Sequence, residues 1–155
     1  MERNRSGEGA RALLFERLAD EDPRSQMELS PFRTHTPAGL RASVFRRLNL
    51  ILNTRATQPR PDDLPLTVLD FGLPDFSAMY GRDPRTHALL AREIRRTIEA
   101  FEPRLEVATV QVSLGEGNDR SLQVTLEGRI HVEHITEPVS FSIPLTGDGP
   151  AEESI

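Results

Sequence analysis

The chain has 155 residues, room for one domain, and its 37% hydrophobic but only 5% aromatic composition calls for a core built mostly from aliphatic side chains. A formal charge of −5 argues against a nucleic-acid partner, whose phosphates select a basic face. There is no cysteine, which removes disulfides, thiolate metal ligands and cysteine nucleophiles, and every basic residue other than histidine is arginine, a forked donor suited to protein contacts.

The N-terminus, Met1 to Gly9, is charged and polar, with no apolar stretch behind it long enough for a signal peptide. No run approaches the roughly 20 apolar residues that cross a bilayer, so a cytoplasmic protein without membrane insertion is expected. A short helix is predicted from about Ala10 to Ala19, with Leu14 and Leu18 on one face. It is too short to stand alone and must dock on something. Asp20 to Pro37 is polar, with prolines at 23, 31 and 37, and reads as a linker. Residues 1–37 are therefore expected to form a tail, a docking helix and a tether.

A second helix is marked by Leu40, Val44, Leu48 and Leu52 at intervals of four, widened by Phe45 and Ile51 and ending near Asn53. A proline-rich loop follows, and Thr67 to Phe71 is expected as a brief extended piece. The third helix carries the clearest punctuation. Asp83 is placed to cap it, Pro84 suits its first position, Leu90, Ile94, Ile98 and Phe101 line one face, and Pro103 stops it.

The remaining pattern is β. Leu105 to Leu114 is rich in valine, with a change of phase between Val107 and Ala108 that predicts a bulge or burial on both faces. Gly115 to Asp119 makes a turn. Leu122, Val124, Leu126, Ile130 and Val132 then alternate with polar residues, with Gly128 as the gap. A turn is placed at Thr136, Glu137 and Pro138, and Val139, Phe141, Ile143 and Leu145 alternate again. The fold class is α+β: helices packed on one face of a small antiparallel meander of three main strands, with room for a short fourth. The domain is expected over 38–146, with a disordered tail over 147–155.

Chemistry is hard to find in this pattern. Gly115 and Gly117 sit between strands, where a hairpin turn explains them better than a phosphate loop. His131 and His134, three apart on a strand, face opposite sides and make a poor metal pair. Asp70, Asp75 and Glu102 lie near element ends, where a carboxylate pair for glycoside hydrolysis could sit. The helical acids Glu93 and Glu99, however, have arginine neighbours within a turn, as on a solvated surface. No catalytic, cofactor-binding or metal residue is assigned.

Two junction motifs stand out instead. Leu52-Asn53-Thr54-Arg55 closes the second helix, and Glu102-Pro103-Arg104-Leu105 joins the third helix to the first long strand. In the latter, Arg104 is placed to satisfy helix-end carbonyls or to pair with Glu102. The plain reading is that both motifs are helix stops with a local, exposed ion pair, which contributes roughly 0–1 kcal/mol; the other is a pair buried at a subunit contact, where removing one member costs several times more.

These residues carry a likeness. Leu14-Phe15-Glu16-Arg17-Leu18, the Leu48 to Arg55 segment, Phe71-Gly72-Leu73-Pro74-Asp75, the Glu-Pro-Arg within Ile98 to Leu105, and Gly128 occur in order across most of the chain. Together they resemble the TssE family of type VI secretion baseplates, which is similar to the small wedge protein of contractile-phage baseplates. Phe71 departs from the tyrosine common at that position and keeps an aromatic ring. The resemblance implies a non-catalytic subunit beside TssF, TssG and TssK. It further implies a start point for the sheath of TssB and TssC, whose strands would add to an open sheet edge. It marks Glu102, Pro103 and Arg104 as an assembly signature, with Asn53, Arg55, Leu14 and Leu18 as further partner-binding residues. Two other readings remain: a lysozyme-like peptidoglycan hydrolase, a label that similar proteins have carried, and a regulatory binding module on the same fold.

Overall fold

The computed structural model describes residues 10–11, 34–57, 64–76, 83–115, 122–133 and 135–145. Thr36 accepts a hydrogen bond from the Gly39 amide at 3.2 Å and Pro37 takes the first helical turn, so helix α1 runs Pro37–Asn53, starting before its leucine stripe. Its buried face is Leu40, Val44, Leu48, Ile51 and Leu52. Phe45 lies at the margin, 40% exposed, with its ring 5.9 Å from that of Phe141.

Helix α2, Pro84–Phe101, begins as its punctuation predicts. The Asp83 carboxylate accepts from the Arg85 amide at 3.0 Å, and Leu90, Ile94 and Ile98 are buried. Between the helices, Val68–Asp70 forms a 3-10 turn where an extended piece is expected. Local side chains decide this. Asp70 accepts from both the Thr67 amide (2.7 Å) and the Thr67 hydroxyl (2.8 Å), while that hydroxyl oxygen accepts from the Leu69 amide.

Three strands, β3 (Leu105–Leu114), β4 (Leu122–Val132) and β5 (Ile135–Leu145), pair antiparallel in the order β3-β4-β5. Val107 faces Gly128 and Thr109 faces Glu127, which leaves Ala108 as the bulge that the phase change predicts. Gly128 lies against that bulge: a Cβ there would collide with the Glu106 carbonyl oxygen. The turn from β4 to β5 lies earlier than predicted. Glu133 has φ 53°, and Thr136, Glu137 and Pro138 are already paired with His131, Ile130 and Arg129. Pro138 misled the pattern because a proline usually ends a strand, but β5 is an outer strand and tolerates it.

Both helices cover the face of the sheet formed by Val107, Leu122, Val124, Leu126, Ile130, Phe141, Ile143 and Leu145, and one continuous core results. The architecture is thus the expected α+β layer pair, with three strands. Ahead of α1, Ala10–Arg11 (β1) pairs with Thr34–His35 (β2) as a two-residue ladder. This corrects both the helix start at Ala10 and a linker reaching Pro37: the paired backbone groups satisfy one another, which a helix beginning at Ala10 would forbid. Leu14, Leu18, the rest of that expected helix and the tail over 147–155 lie outside the described residues. No helix among the described residues is long and apolar enough to cross a membrane.

Candidate assembly interface

The Glu102-Pro103-Arg104 motif forms the corner between α2 and β3. The Glu102 amide donates to the Ile98 carbonyl at 2.7 Å, which closes the helix, and Pro103 stands exposed at the bend. Arg104 then folds back. Its Nε and Nη2 donate to the two Glu102 oxygens at 2.7 and 2.8 Å, and Nη1 donates to the Ser43 hydroxyl of α1 at 3.0 Å. Glu102 is 1% exposed and Arg104 9%. This corrects both alternatives read from the sequence: the pair is not exposed, and it needs no subunit contact to be buried, because its enclosure lies within the chain. A bidentate, charge-assisted link thereby fastens α1, the end of α2 and the start of β3 to one another.

The second motif stands elsewhere. Ser43 and Asn53 are separated by about 15 Å of helical rise, so the two motifs do not merge. Asn53 is buried, and its amide nitrogen donates to the Asn49 side-chain oxygen at 2.7 Å and to the Pro144 carbonyl of β5 at 3.2 Å. Arg55 is exposed, 3.8 Å from Asp75, and its backbone forms a parallel bridge with Leu73. The Leu73 amide donates to Thr54 at 2.8 Å and the Ala56 amide to Leu73 at 2.7 Å. Gly72, at φ 103°, lets the chain pass there, because a Cβ would strike the Thr54 carbonyl oxygen. Among the described residues, this bridge and the β1–β2 ladder are the extended pairings outside the three-stranded sheet.

The sheet has two borders, and alternation fixes which main-chain groups face them. The His131 amide donates to the Arg104 carbonyl, so His131, Arg129, Glu127, Thr125 and Gln123 of β4 turn toward β3. Their partners Glu106, Thr109, Gln111 and Ser113 turn inward, which leaves Val110, Val112 and Leu114 directing N–H and C=O groups outward. On β5 the outward positions are Thr136, Pro138, Ser140, Ser142 and Pro144. Two of them are prolines without an N–H. Two of their carbonyls are already engaged, Ser140 by Arg41 at 3.2 Å and Pro144 by Asn53. Sequence reasoning missed this asymmetry, although the prolines at an interval of six in the last strand were a visible signal of it.

The candidate acids are dispersed among structural tasks: Asp70 in its cap, Asp75 beside Arg55, Glu102 in the buried pair. A groove of about 560 Å³ on the sheet's outer face carries Glu106, Glu127 and Arg129. Glu106 is 70% exposed at its side chain and accepts from or pairs with His131 at 3.0 Å, without the apolar enclosure a general-acid carboxylate needs. The other imidazole nitrogen lies 3.1 Å from the Thr136 hydroxyl, and His134 is outside the described residues. Among the described residues, no group of three or more His, Asp or Glu could hold a metal ion.

Residues 38–134, spanning both helices, β3 and β4, match the model of the family described as baseplate wedge protein gp25. Two solved structures share the fold. A Geobacter sulfurreducens protein labelled a tail lysozyme is 22% identical, with a TM-score of 0.52 over 73% of this chain and 94% of its own. A chain of the baseplate complex from the type VI secretion system is 20% identical, with a TM-score of 0.51 over 69% of this chain and 94% of its own. No curated protein matches.

Proposed function

The chain belongs to the baseplate wedge protein gp25 family, and from that premise we propose that it is the TssE-like wedge subunit of a type VI secretion baseplate. The match of the family model to the helices and the first two long strands carries this reading, and the fold shared with a chain of the type VI baseplate complex supports it. In this proposal the protein is a structural part of a cytoplasmic baseplate. It sits beside TssF, TssG and TssK and starts the sheath by accepting a strand from TssB or TssC. Strand addition suits an open antiparallel meander, since each added main-chain hydrogen bond contributes roughly 0.5–1.5 kcal/mol and a border strand is a ready template.

The unit that acts is the domain over 38–146, with residues 1–37 as an arm and 147–155 as a tail. Glu102 and Arg104 serve assembly from inside, by holding the corner that displays Pro103. Asn53 anchors α1 to β5, and Arg55 is exposed for contact at the same end. Leu14 and Leu18 give the arm its docking face. The test is co-purification of the full chain with TssF, TssG and TssK. A stable complex is expected, and recovery of the chain alone from cells expressing all four would overturn the assignment.

A second reading rests on the tail-lysozyme label of one similar structure and on the Glu106–Glu127 groove. It is tested by peptidoglycan hydrolysis with the purified protein. No turnover is expected; turnover abolished by Glu106→Gln would establish the enzyme instead.

A further inference from the structure

Glu137 occupies a position that the pattern of its strand reserves for an apolar residue. Alternation along β5 puts it on the helix-covered face with Val139, Phe141, Ile143 and Leu145, and the register sets it in one row with Ile130 and Leu105, all of them buried. Glu137 itself is half-buried, and its Oε2 is enclosed without accepting a hydrogen bond among the described residues. An enclosed oxygen without a donor destabilises the isolated chain, and buried polar groups are otherwise nearly always paired. The neighbours explain why it is orphaned. Arg41 on Ser140 and Asn53 on Pro144 show that α1 and β5 run the same way, so α1 begins above the start of β5. That first turn, Pro37-Ala38-Gly39-Leu40, has no side-chain donor. Arg41 is held by the Ser140 carbonyl and lies 5.7 Å from the centre of the Phe141 ring, and Arg104 is filled by Glu102 and Ser43.

The surroundings say where a donor would come from. Beyond the Glu137 row the sheet continues for one more pair, Val132 and Ile135, after β3 has ended. Both are half-buried apolar residues on the same face. The His131 amide, donating to the Arg104 carbonyl, brings the corner that bears exposed Pro103 to this same end. With β4 between them, that corner and Glu137 are two strand spacings apart, roughly 10 Å. Glu133, exposed at φ 53° in the turn, adds a second carboxylate. Two copies of the chain meeting here about a twofold axis would set Glu133 and Glu137 beside their own counterparts. A different chain that brings a basic side chain would neutralise them.

Resting on the proposed function, we infer that Glu137 is a partner-binding residue. Its enclosed oxygen receives the ammonium or guanidinium of a lysine or arginine from a neighbouring chain, docked at the sheet end formed by Pro103, Val132 and Ile135. The contact supplies the hydrogen bond that the chain cannot make for itself, so an interaction that weakens the free protein strengthens the complex. The test measures two properties of full-length Glu137→Val and Glu137→Gln: the urea midpoint of the purified chain and its affinity for a purified TssF–TssG–TssK complex. Glu137→Val removes the orphaned oxygen and suits a strand, and is expected to raise the midpoint by about 0.5 M. Both variants are expected to bind the complex at least tenfold more weakly than the wild type. Binding within twofold of the wild type overturns the inference. A lowered midpoint for Glu137→Val also overturns it, since the donor would then lie within the chain itself. Self-association of the wild type that Glu137→Val abolishes would name a second copy as the source of the donor, with the same result. A wild-type chain that does not bind the complex overturns the proposed function, and the inference with it.

Discussion

Arg104 has three guanidinium nitrogens occupied inside the protein, two by Glu102 and one by Ser43, so its charge is compensated where little water reaches. Removing one member of such a pair strands the other. Arg104→Ala is expected to lower stability by about 3–5 kcal/mol in a urea titration, while the double variant Glu102→Gln/Arg104→Met loses less. A cost below about 1 kcal/mol for Arg104→Ala would mean that the pair is solvated. An assembly defect in any Arg104 variant therefore has to be measured against its folding. Gly128 is a sharper case of the same kind. The methyl of Gly128→Ala would meet the Glu106 carbonyl oxygen, and a loss of about 1–3 kcal/mol is expected, with the β3–β4 amides exchanging faster.

Among the elements, the 3-10 turn at Val68–Asp70 shows how little chain can fix a conformation. Val68 and Leu69 are 84% and 67% exposed, so packing does not hold them; the reciprocal bonds of Thr67 and Asp70 do. Asp70→Ala is expected to cost about 0.5–2 kcal/mol and to make proteolysis at this turn faster, with the helices unaffected. The same contrast explains what could be read from the residues. Both long helices, β3, its bulge and β4 followed from periodicity and caps, because the forces that form them are local. The turn at 67–70 was misread because a capping box also lies in a stretch whose apolar residues suggest extension. Glu102 and Arg104 were legible as a pair, but their enclosure depends on Ser43, sixty-one positions away, and no local pattern encodes that. The place of the β4–β5 turn was lost for a related reason: whether a proline ends a strand depends on whether that strand lies at the border.

At the scale of the molecule, two helices close one face of the sheet, the other face stays polar, and the family relationship makes that assembly a baseplate part. The proposed arm has its own test. Leu14→Asp with Leu18→Asp is expected to leave the urea midpoint unchanged and to abolish co-purification with TssF, TssG and TssK; a shifted midpoint would place those leucines in the core instead. The prolines and side chains that occupy the outer line of β5 also limit what this protein can do to itself. A meander available on both sides can polymerise without end, each copy receiving one neighbour and offering itself to the next. With a single side available, two molecules that met there would exhaust it, and the association would halt at a pair. Guarding one border with prolines and clasped carbonyls thus works against open-ended association through the sheet.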